Sequence, residues 1–292
     1  MILVTGATGQ LGAQVVSHLL RRAPAGAFSV LARDPAKAAP LMDQGIEVRL
    51  GDFDDPASLQ RAFSGISKLL LISTMAPNRL QQHRQVIDAA RQAGVAHVFY
   101  TGLAIRNIQT SHVRELMQSH FQTEDYLKAS GMDYTLLRNT MYAEALPVIV
   151  ASGRAGNRIA LPGGDGRVPY VLRQELGEAT ANALLDDGHR NRTYHLVGSQ
   201  AYGYADVAAA LGRLQGTPVR YQHVPAAQFA RRMQDNHASD FEIFLTQGTV
   251  QDIASHQYAI SCDDLPALLG RPSLPLDALV SHVFPHPERS TP

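Results

Sequence analysis

The first dozen residues, Met1-Ile2-Leu3-Val4-Thr5-Gly6-Ala7-Thr8-Gly9-Gln10-Leu11-Gly12, constrain the fold more than any other stretch. Ile2 to Val4 is a short apolar run of the kind a buried strand uses. Val15, Val16, Leu19 and Leu20 then recur at helical spacing. Three glycines between a buried strand and a helix have a physical use. Gly6 permits the tight turn, Gly9 lets the backbone approach a phosphate, and Gly12 lets the helix lie close to the strand. The first N–H groups of the helix, together with its dipole, then hold an anion. Gly6, Thr8, Gly9, Gln10, Leu11 and Gly12 are therefore read as the cradle of a dinucleotide's pyrophosphate.

The rest of the chain repeats the strand-then-helix rhythm. Phe28 to Ala32 reads as a second strand, Glu47 to Phe53 as a third with its exit, and Lys68 to Thr74 as a fourth. The unbroken apolar stretch of the fourth suits a parallel strand covered on both faces. Leu80 to Ala93 is helical and is closed by Gly94. His97 to Thr101 is the fifth strand, Val113 to Ser130 a helix closed by Gly131, and Asp133 to Asn139 the sixth strand. The pattern predicts an α/β Rossmann fold, a doubly wound parallel sheet with helices on both faces.

Beyond residue 140 the rhythm loosens. The expected elements are helices over Met141–Ser152, Glu175–Asp186, Tyr204–Leu214 and Phe229–Phe244, and a last one holding Leu265, Leu268 and Leu269. Strands are expected at Thr193–Val197 and Val219–Val224, a turn-rich loop at Leu161–Gly166, and a frayed tail after about Phe284. This divides the chain into a dinucleotide-binding domain over 1–139 and a smaller α+β substrate lobe over 140–292, some of whose segments return to the main sheet.

The end of the second strand bears on which dinucleotide is bound. NAD-binding chains usually place an acid there for the ribose hydroxyls, whereas NADP-binding chains place a cation. Here Ala32 holds the tip, followed by Arg33 and, one helical step on, Lys37. Asp34 precedes Pro35, the signature of a helix cap, and Asp55-Pro56 repeats it. Arg33 and Lys37 thus point to a 2′-phosphate, and so to NADPH. Asp52 and Phe53, just past the third strand, are candidates to border the adenine. Ser73 and Thr74, at the carboxyl end of the fourth, face the cofactor, since ligands gather at that edge of such sheets.

Composition excludes other classes. Basic and acidic residues balance at 26 each, which removes the electrostatic warrant for nucleic-acid binding. Cys262 is the single cysteine, so no internal disulfide forms and a reducing compartment is expected. A strand that begins at residue 2 leaves no signal segment, and no apolar run reaches bilayer length, so a cytoplasmic protein without membrane contact is expected. The twelve histidines are scattered, with no metal-ligand spacing. A homodimer is compatible with such a chain.

These residues resemble the NmrA-like, atypical short-chain dehydrogenase/reductase family. The matching stretches are Thr5 to Gly12, Arg33 to Ala38, Lys68 to Ser73, His83 to Ala90, Tyr134 to Asn139 and Leu268 to Pro272, which run from end to end of the chain. The resemblance implies an NADP-binding Rossmann domain, a small lobe over the nicotinamide, and reduction of quinones or dyes as small-molecule acceptors. It also places Thr101 near the nicotinamide. Gly102 beside it replaces a hydroxyl residue common in relatives, and Glu175 stands where many carry Asp. Residues 104–112 and 226–261 match the family poorly, so the acceptor's identity does not carry over.

Ordinary short-chain dehydrogenases protonate an alkoxide with a Tyr activated by a Lys four residues on. None of the ten tyrosines here has that partner. His120 and Glu124 share a helix face in the corresponding region, and His120 is a candidate proton donor near neutral pH. Asn139 and Tyr142, at and just past the sixth strand, are candidates to bond an acceptor's carbonyl oxygen. Two readings follow. One is an NADPH-dependent reductase of quinones or related acceptors, with His120, Asn139 and Tyr142 at its chemistry. The other is a non-catalytic NADP(H) sensor that acts through a protein partner.

Overall fold

The computed structural model describes residues 1–284, so the tail expected after Phe284 lies outside the described residues. The first half alternates strictly: β1 Ile2–Val4, α1 Gln10–Arg22, β2 Phe28–Ala32, α2 Pro35–Met42, β3 Glu47–Leu50, α3 Pro56–Ala62, β4 Lys68–Leu71, α4 Arg79–Gln92, β5 His97–Leu103, α5 Arg114–Ala129 and β6 Asp133–Asn139. The second half holds α6 Leu146–Gly153, β7 Arg154–Ala155, β8 Arg158–Leu161, β9 Arg167–Val168, α7 Arg173–Leu185, β10 Arg192–Leu196, β11 Tyr202–Gly203 and α8 Tyr204–Gln215. It continues with β12 Arg220–His223, α9 Ala226–Asp235, α10 Asp240–Ala254, α11 Asp264–Leu269 and α12 Leu276–Val283.

Seven parallel strands form the main sheet in the order β10-β6-β5-β4-β1-β2-β3. The chain winds outward one way from β1 through β3, then crosses back to β4 and outward the other way. The crevice between β1 and β4 is therefore the switch point at which such sheets bind ligands. The expected doubly wound α/β fold is what the chain adopts.

Pleating explains the two layers of core. Leu3, Leu69, Leu71, Val98 and Leu136 pack with residues of α3, α4 and α5, while Val4, Leu70, Phe99 and Leu137 pack with residues of α1, α7 and α11. A third cluster, from Leu146 through Val280, fills the C-terminal part between the small sheets and α6, α8, α9, α10 and α12. Local chemistry sets the helix starts. Asp34 accepts from Ala36 N at 2.9 Å and Asp55 from Ala57 N at 3.1 Å, each followed by proline in the first turn, as expected of a cap.

The structure departs from expectation mainly late in the chain. The helix expected over Phe229–Phe244 is two helices, α9 and α10. His237 turns to φ +59°, and Ser239 and Glu242 form a capping box that starts α10. The helix at Leu265–Leu269 is not the last, because α12 follows Pro275 with Leu276, Leu279 and Val280 on its buried face. The helix expected from Met141 begins only at Leu146, which puts Pro147 in its first turn, where a missing N–H costs nothing. β3 and β4 end at Leu50 and Leu71, so Gly51–Phe53 and Ile72–Thr74 are loop rather than strand.

Two predictions follow from this packing. α1 lies against α7 so closely that a Cβ on Gly177 would stand 2.5 Å from Gln14 Cβ. Gly177→Ala should cost about 1–3 kcal/mol and lower the melting temperature by several degrees. Gly188→Ala, whose Cβ would meet nothing closer than 3.7 Å, should not; equal melting temperatures for the two would contradict the packing.

Three buried imidazoles lie against the main sheet: His83 (0% exposed) and His120 (8%) on its α4–α5 side, and His97 (2%) on the opposite face, stacked on Phe99. Burial depresses His83 to about 3, His97 to about 4, and His120 well below the ordinary histidine value. Below about pH 6.5 the unfolded chain binds protons at these rings and the native chain does not. Stability should therefore be flat from pH 8 to 7 and fall as pH drops toward 5. Each ring then contributes a slope approaching about 1.4 kcal/mol per pH unit. Urea midpoints at pH 7.5, 6 and 5 measure this. A midpoint that holds or rises on acidification would contradict it.

Candidate functional site

The turn after β1 is built as a cradle. Gly6 sits at φ +62°, a conformation L-residues rarely adopt. A Cβ on Gly12 would come within 2.1 Å of the Gly6 carbonyl oxygen, so only glycine lets α1 start this close to the strand. Gly9 caps α1 with no side-chain hydrogen bond, and no acidic residue stands in the first turn. The first amides of a thirteen-residue helix are thus left to an outside acceptor, and nothing anionic competes. These groups fit a dinucleotide's pyrophosphate.

The cradle is one end of a single large cleft of about 1330 Å³. Gly6, Thr8, Gly9, Gln10, Leu11 and Gly12 line it, as do Arg33, Asp52, Phe53, Ser73, Thr74, Thr101, His120, Asn139 and Tyr142. The structure brings together every candidate cofactor and acceptor residue read from sequence except Lys37, which is exposed on α2 and does not line the cleft. Asp34 serves as the α2 cap, so Arg33 is the cation at the tip of β2. Its side chain is 74% exposed, and its carboxylate contact is a long one, 4.0 Å to Asp52.

Hydroxyl groups carry the hydrogen bonding past the strand ends. Thr5 Oγ1 accepts from Ile72 N at 3.0 Å, and Thr101 Oγ1 accepts from Ser73 N at 2.9 Å. The loop after β4 is thereby tied to β1 and β5, with Ser73 and Thr74 held at the cleft. Gly102 lies beside the Glu124–Arg138 pair. A Cβ there would come within 3.0 Å of Glu124 Oε1.

His120 is a correction. It forms no pair with Glu124, whose carboxylate is buried and grips Arg138 at 2.5 and 2.9 Å. Instead, His120 Nε2 lies 3.2 Å from Arg79 Nη1, and Nδ1 lies 2.8 Å from Tyr100 Oη. A guanidinium only donates, so Nε2 must accept, and the ring proton sits on Nδ1, donated to Tyr100. Burial first, and the Arg79 charge after it, hold the ring neutral. It is not an imidazolium acid at neutral pH.

Asn139 and Tyr142 meet at the opposite wall. Asn139 Nδ2 donates to Tyr142 Oη at 3.4 Å, while its buried Oδ1 has no hydrogen-bond partner among the described residues. Tyr142 Oη already accepts, so its own proton is available to a ligand. Desolvation raises the phenol above its ordinary value, and Arg173, with Cζ 4.4 Å from the ring centroid, opposes that rise. Arg173 is held by Glu144, whose Oε1 accepts from the Arg173 backbone N–H at 2.9 Å. Sequence reasoning missed Arg79, Gln82, Arg173 and Glu144, because each lies outside a recognised motif. It also missed Met117 and the α10 residues Leu245, Thr246 and Thr249, which close the apolar end.

That closure depends on buried Asp252 of α10. It accepts from Ser111 Oγ at 2.5 Å and from the backbone N–H of His112 at 2.7 Å, tying α10 to the segment before α5. Met75 (55% exposed) and Val148 (68%) form an apolar rim.

Comparison with known proteins agrees with this geometry. Escherichia coli quinone oxidoreductase 2 is 36% identical over 97% of this chain and 99% of its own. The solved structure of Citrobacter sp. triphenylmethane reductase complexed with NADP(H) is 36% identical, covers 97% of this chain and 99% of its own, and has a TM-score of 0.87. An Escherichia coli NADPH-dependent quinone oxidoreductase complexed with NADPH is 35% identical, covers 98% and 100%, and has a TM-score of 0.89. The NmrA-like family model matches residues 1–262. With a glycine cradle, a basic tip on β2 and a cleft at the switch point, the chain belongs to the NmrA-like family.

Proposed function

We propose that this chain is an NADPH-dependent oxidoreductase whose acceptor is a quinone or a quinone-like dye. The observation that carries the reading is the continuity of the cleft: a phosphate cradle at one end and an apolar, aromatic-sized end at the other, with Ser73, Thr101 and Asn139 between them. The relatives' NADPH-dependent quinone and dye reductions support it. When bound, NADPH supplies a hydride. The amides of the glycine turn hold its pyrophosphate, and the Arg33 guanidinium meets its 2′-phosphate.

The remaining tasks fall to positioning. Met75, Met117 and Leu245 exclude water from one face of a flat acceptor, which leaves its oxygen to the Tyr142 hydroxyl. Asn139 holds that hydroxyl in place and offers Oδ1 to a donor on either ligand. The absence of a Tyr–Lys pair fits this reaction, because a reduced quinone is a stabilised anion that water can protonate. Reversible alcohol oxidation, which requires a strong base, is not supported.

The direct test is NADPH absorbance with and without a panel of quinones and cationic dyes, repeated with NADH. Acceptor-dependent oxidation that favours NADPH is expected. Tight NADPH binding with no turnover on any acceptor would overturn the reductase reading in favour of the sensor. Arg33→Glu should weaken NADPH by about 10–100-fold and NADH far less, as befits loss of a charge-assisted contact. Equal losses would remove the 2′-phosphate assignment. Tyr142→Phe should lower kcat about tenfold with little change in NADPH affinity. An unchanged kcat would take Tyr142 out of the acceptor site.

A further inference from the structure

The inner wall of the cleft carries a charge that its protein contacts do not neutralise. Arg79, the first residue of α4, is 2% exposed and lines the cleft. Its hydrogen bonds run to Ser119 Oγ at 2.9 Å, the Thr74 carbonyl at 3.1 Å, Met75 Sδ at 3.9 Å, His120 Nε2 at 3.2 Å and the Leu116 carbonyl. All five partners are neutral. Buried cations are ordinarily paired with carboxylates, and an unpaired one is costly to keep.

Among the described residues, none of the acids of this region pairs directly with Arg79. Asp54 reaches the network through Gln82, which donates to it at 2.8 Å and accepts from Thr74 Oγ1 at 3.2 Å, and it also accepts from Asn78 Nδ2 at 3.0 Å. Glu144 is matched by Arg173 at 3.6 Å. The buried phenol of Tyr100 and the half-buried phenol of Tyr142 are held in their neutral form by desolvation, and His120 is neutral. Arg79 is thus a buried cation held by neutral groups, with no carboxylate in direct contact among the described residues.

Resting on the reductase reading, we propose that Arg79 makes the inner end of the cleft a subsite for an aryl oxyanion. That class comprises the monoanion a quinone becomes on reduction and phenolates of similar shape. The chemistry balances. A hydride brings the quinone two electrons and one hydrogen, NADPH is oxidised to NADP⁺, and one quinone oxygen ends as O–H and the other as O⁻. One proton from water then completes the hydroquinone. A preorganised cation in a water-poor wall stabilises charge that exists only after the hydride has begun to move. Arg79 need not touch the acceptor, since its field reaches it while the guanidinium stays clamped to α5.

The test reads ionisation of a bound phenol rather than turnover. The wild-type chain, saturated with NADP⁺, is titrated with 4-nitrophenol across pH while phenolate absorbance is followed. Binding should favour the phenolate by about tenfold or more, which lowers the bound phenol's midpoint by about one pH unit or more. Arg79→Gln should abolish that shift and Arg79→Lys should keep part of it. A bound midpoint at or above that of free nitrophenol, or a full shift persisting in folded Arg79→Gln, overturns the proposal. Where Arg79→Gln fails to fold, a series of phenols of graded acidity on the wild type decides the matter. At fixed pH, affinity should rise with the fraction ionised, and a flat or opposite trend overturns it. Quinone turnover of the same preparation is scored separately. Turnover without phenolate preference removes the subsite and leaves the reductase reading standing. Phenolate preference without turnover supports the subsite and removes the reductase reading.

Discussion

The close approach of α1 to β1 is the contact on which the rest of the site depends. It requires a Gly6 in left-handed backbone and a Gly12 with no Cβ, because a methyl there would collide with the Gly6 carbonyl at 2.1 Å. The approach leaves the uncapped amides of α1 at the carboxyl edge of the sheet. It also places them beside the loop after β4, whose position is set by the hydroxyls of Thr5 and Thr101. One steric constraint at the start of the chain thus leaves free helix amides suited to an anion and sets which loop faces them.

Electrostatics divides the cleft into two ends. Near β2, Arg33 is exposed and lightly held, a cation at the tip of the strand where a 2′-phosphate would be read. Near α4 and α5, Arg79 is buried and tightly held beside a His120 that burial keeps neutral, and its field is fixed in place. Between them, Asn139 and Tyr142 present hydrogen-bonding groups whose geometry is secured by Arg173 and Glu144. Such an arrangement suits chemistry that moves charge onto a flat apolar ligand better than chemistry that needs a strong base.

Much of this was legible in the sequence, for identifiable reasons. The glycine spacing, the Asp-Pro caps and the apolar runs are local signals with a single physical use each, so the Rossmann half could be read almost residue by residue. The break between α9 and α10 was also written locally, in the Ser239–Glu242 capping box, but a continuous apolar pattern masked it. The role of His120 was misjudged because its surroundings are not local. Tyr100 lies 20 residues before it and Arg79 41, and Glu124, its helical neighbour, is taken by Arg138 from β6. Arg79 and Arg173 could not be picked out among 26 basic residues, since burial and partners, not residue type, distinguish them.

If cofactor and acceptor share one cleft, as proposed, hydrogen passes directly between them. The measurement that tests this most directly is a rapid-mixing experiment with NADPH deuterated at either one of its two C4 positions, using a quinone as acceptor. Reduction should slow by a primary isotope effect for one diastereomer and not for the other, because the cleft presents only one face of the nicotinamide. Equal rates for both diastereomers in a chemistry-limited reaction, or isotope effects of equal size for both, would contradict a single fixed cleft with direct transfer.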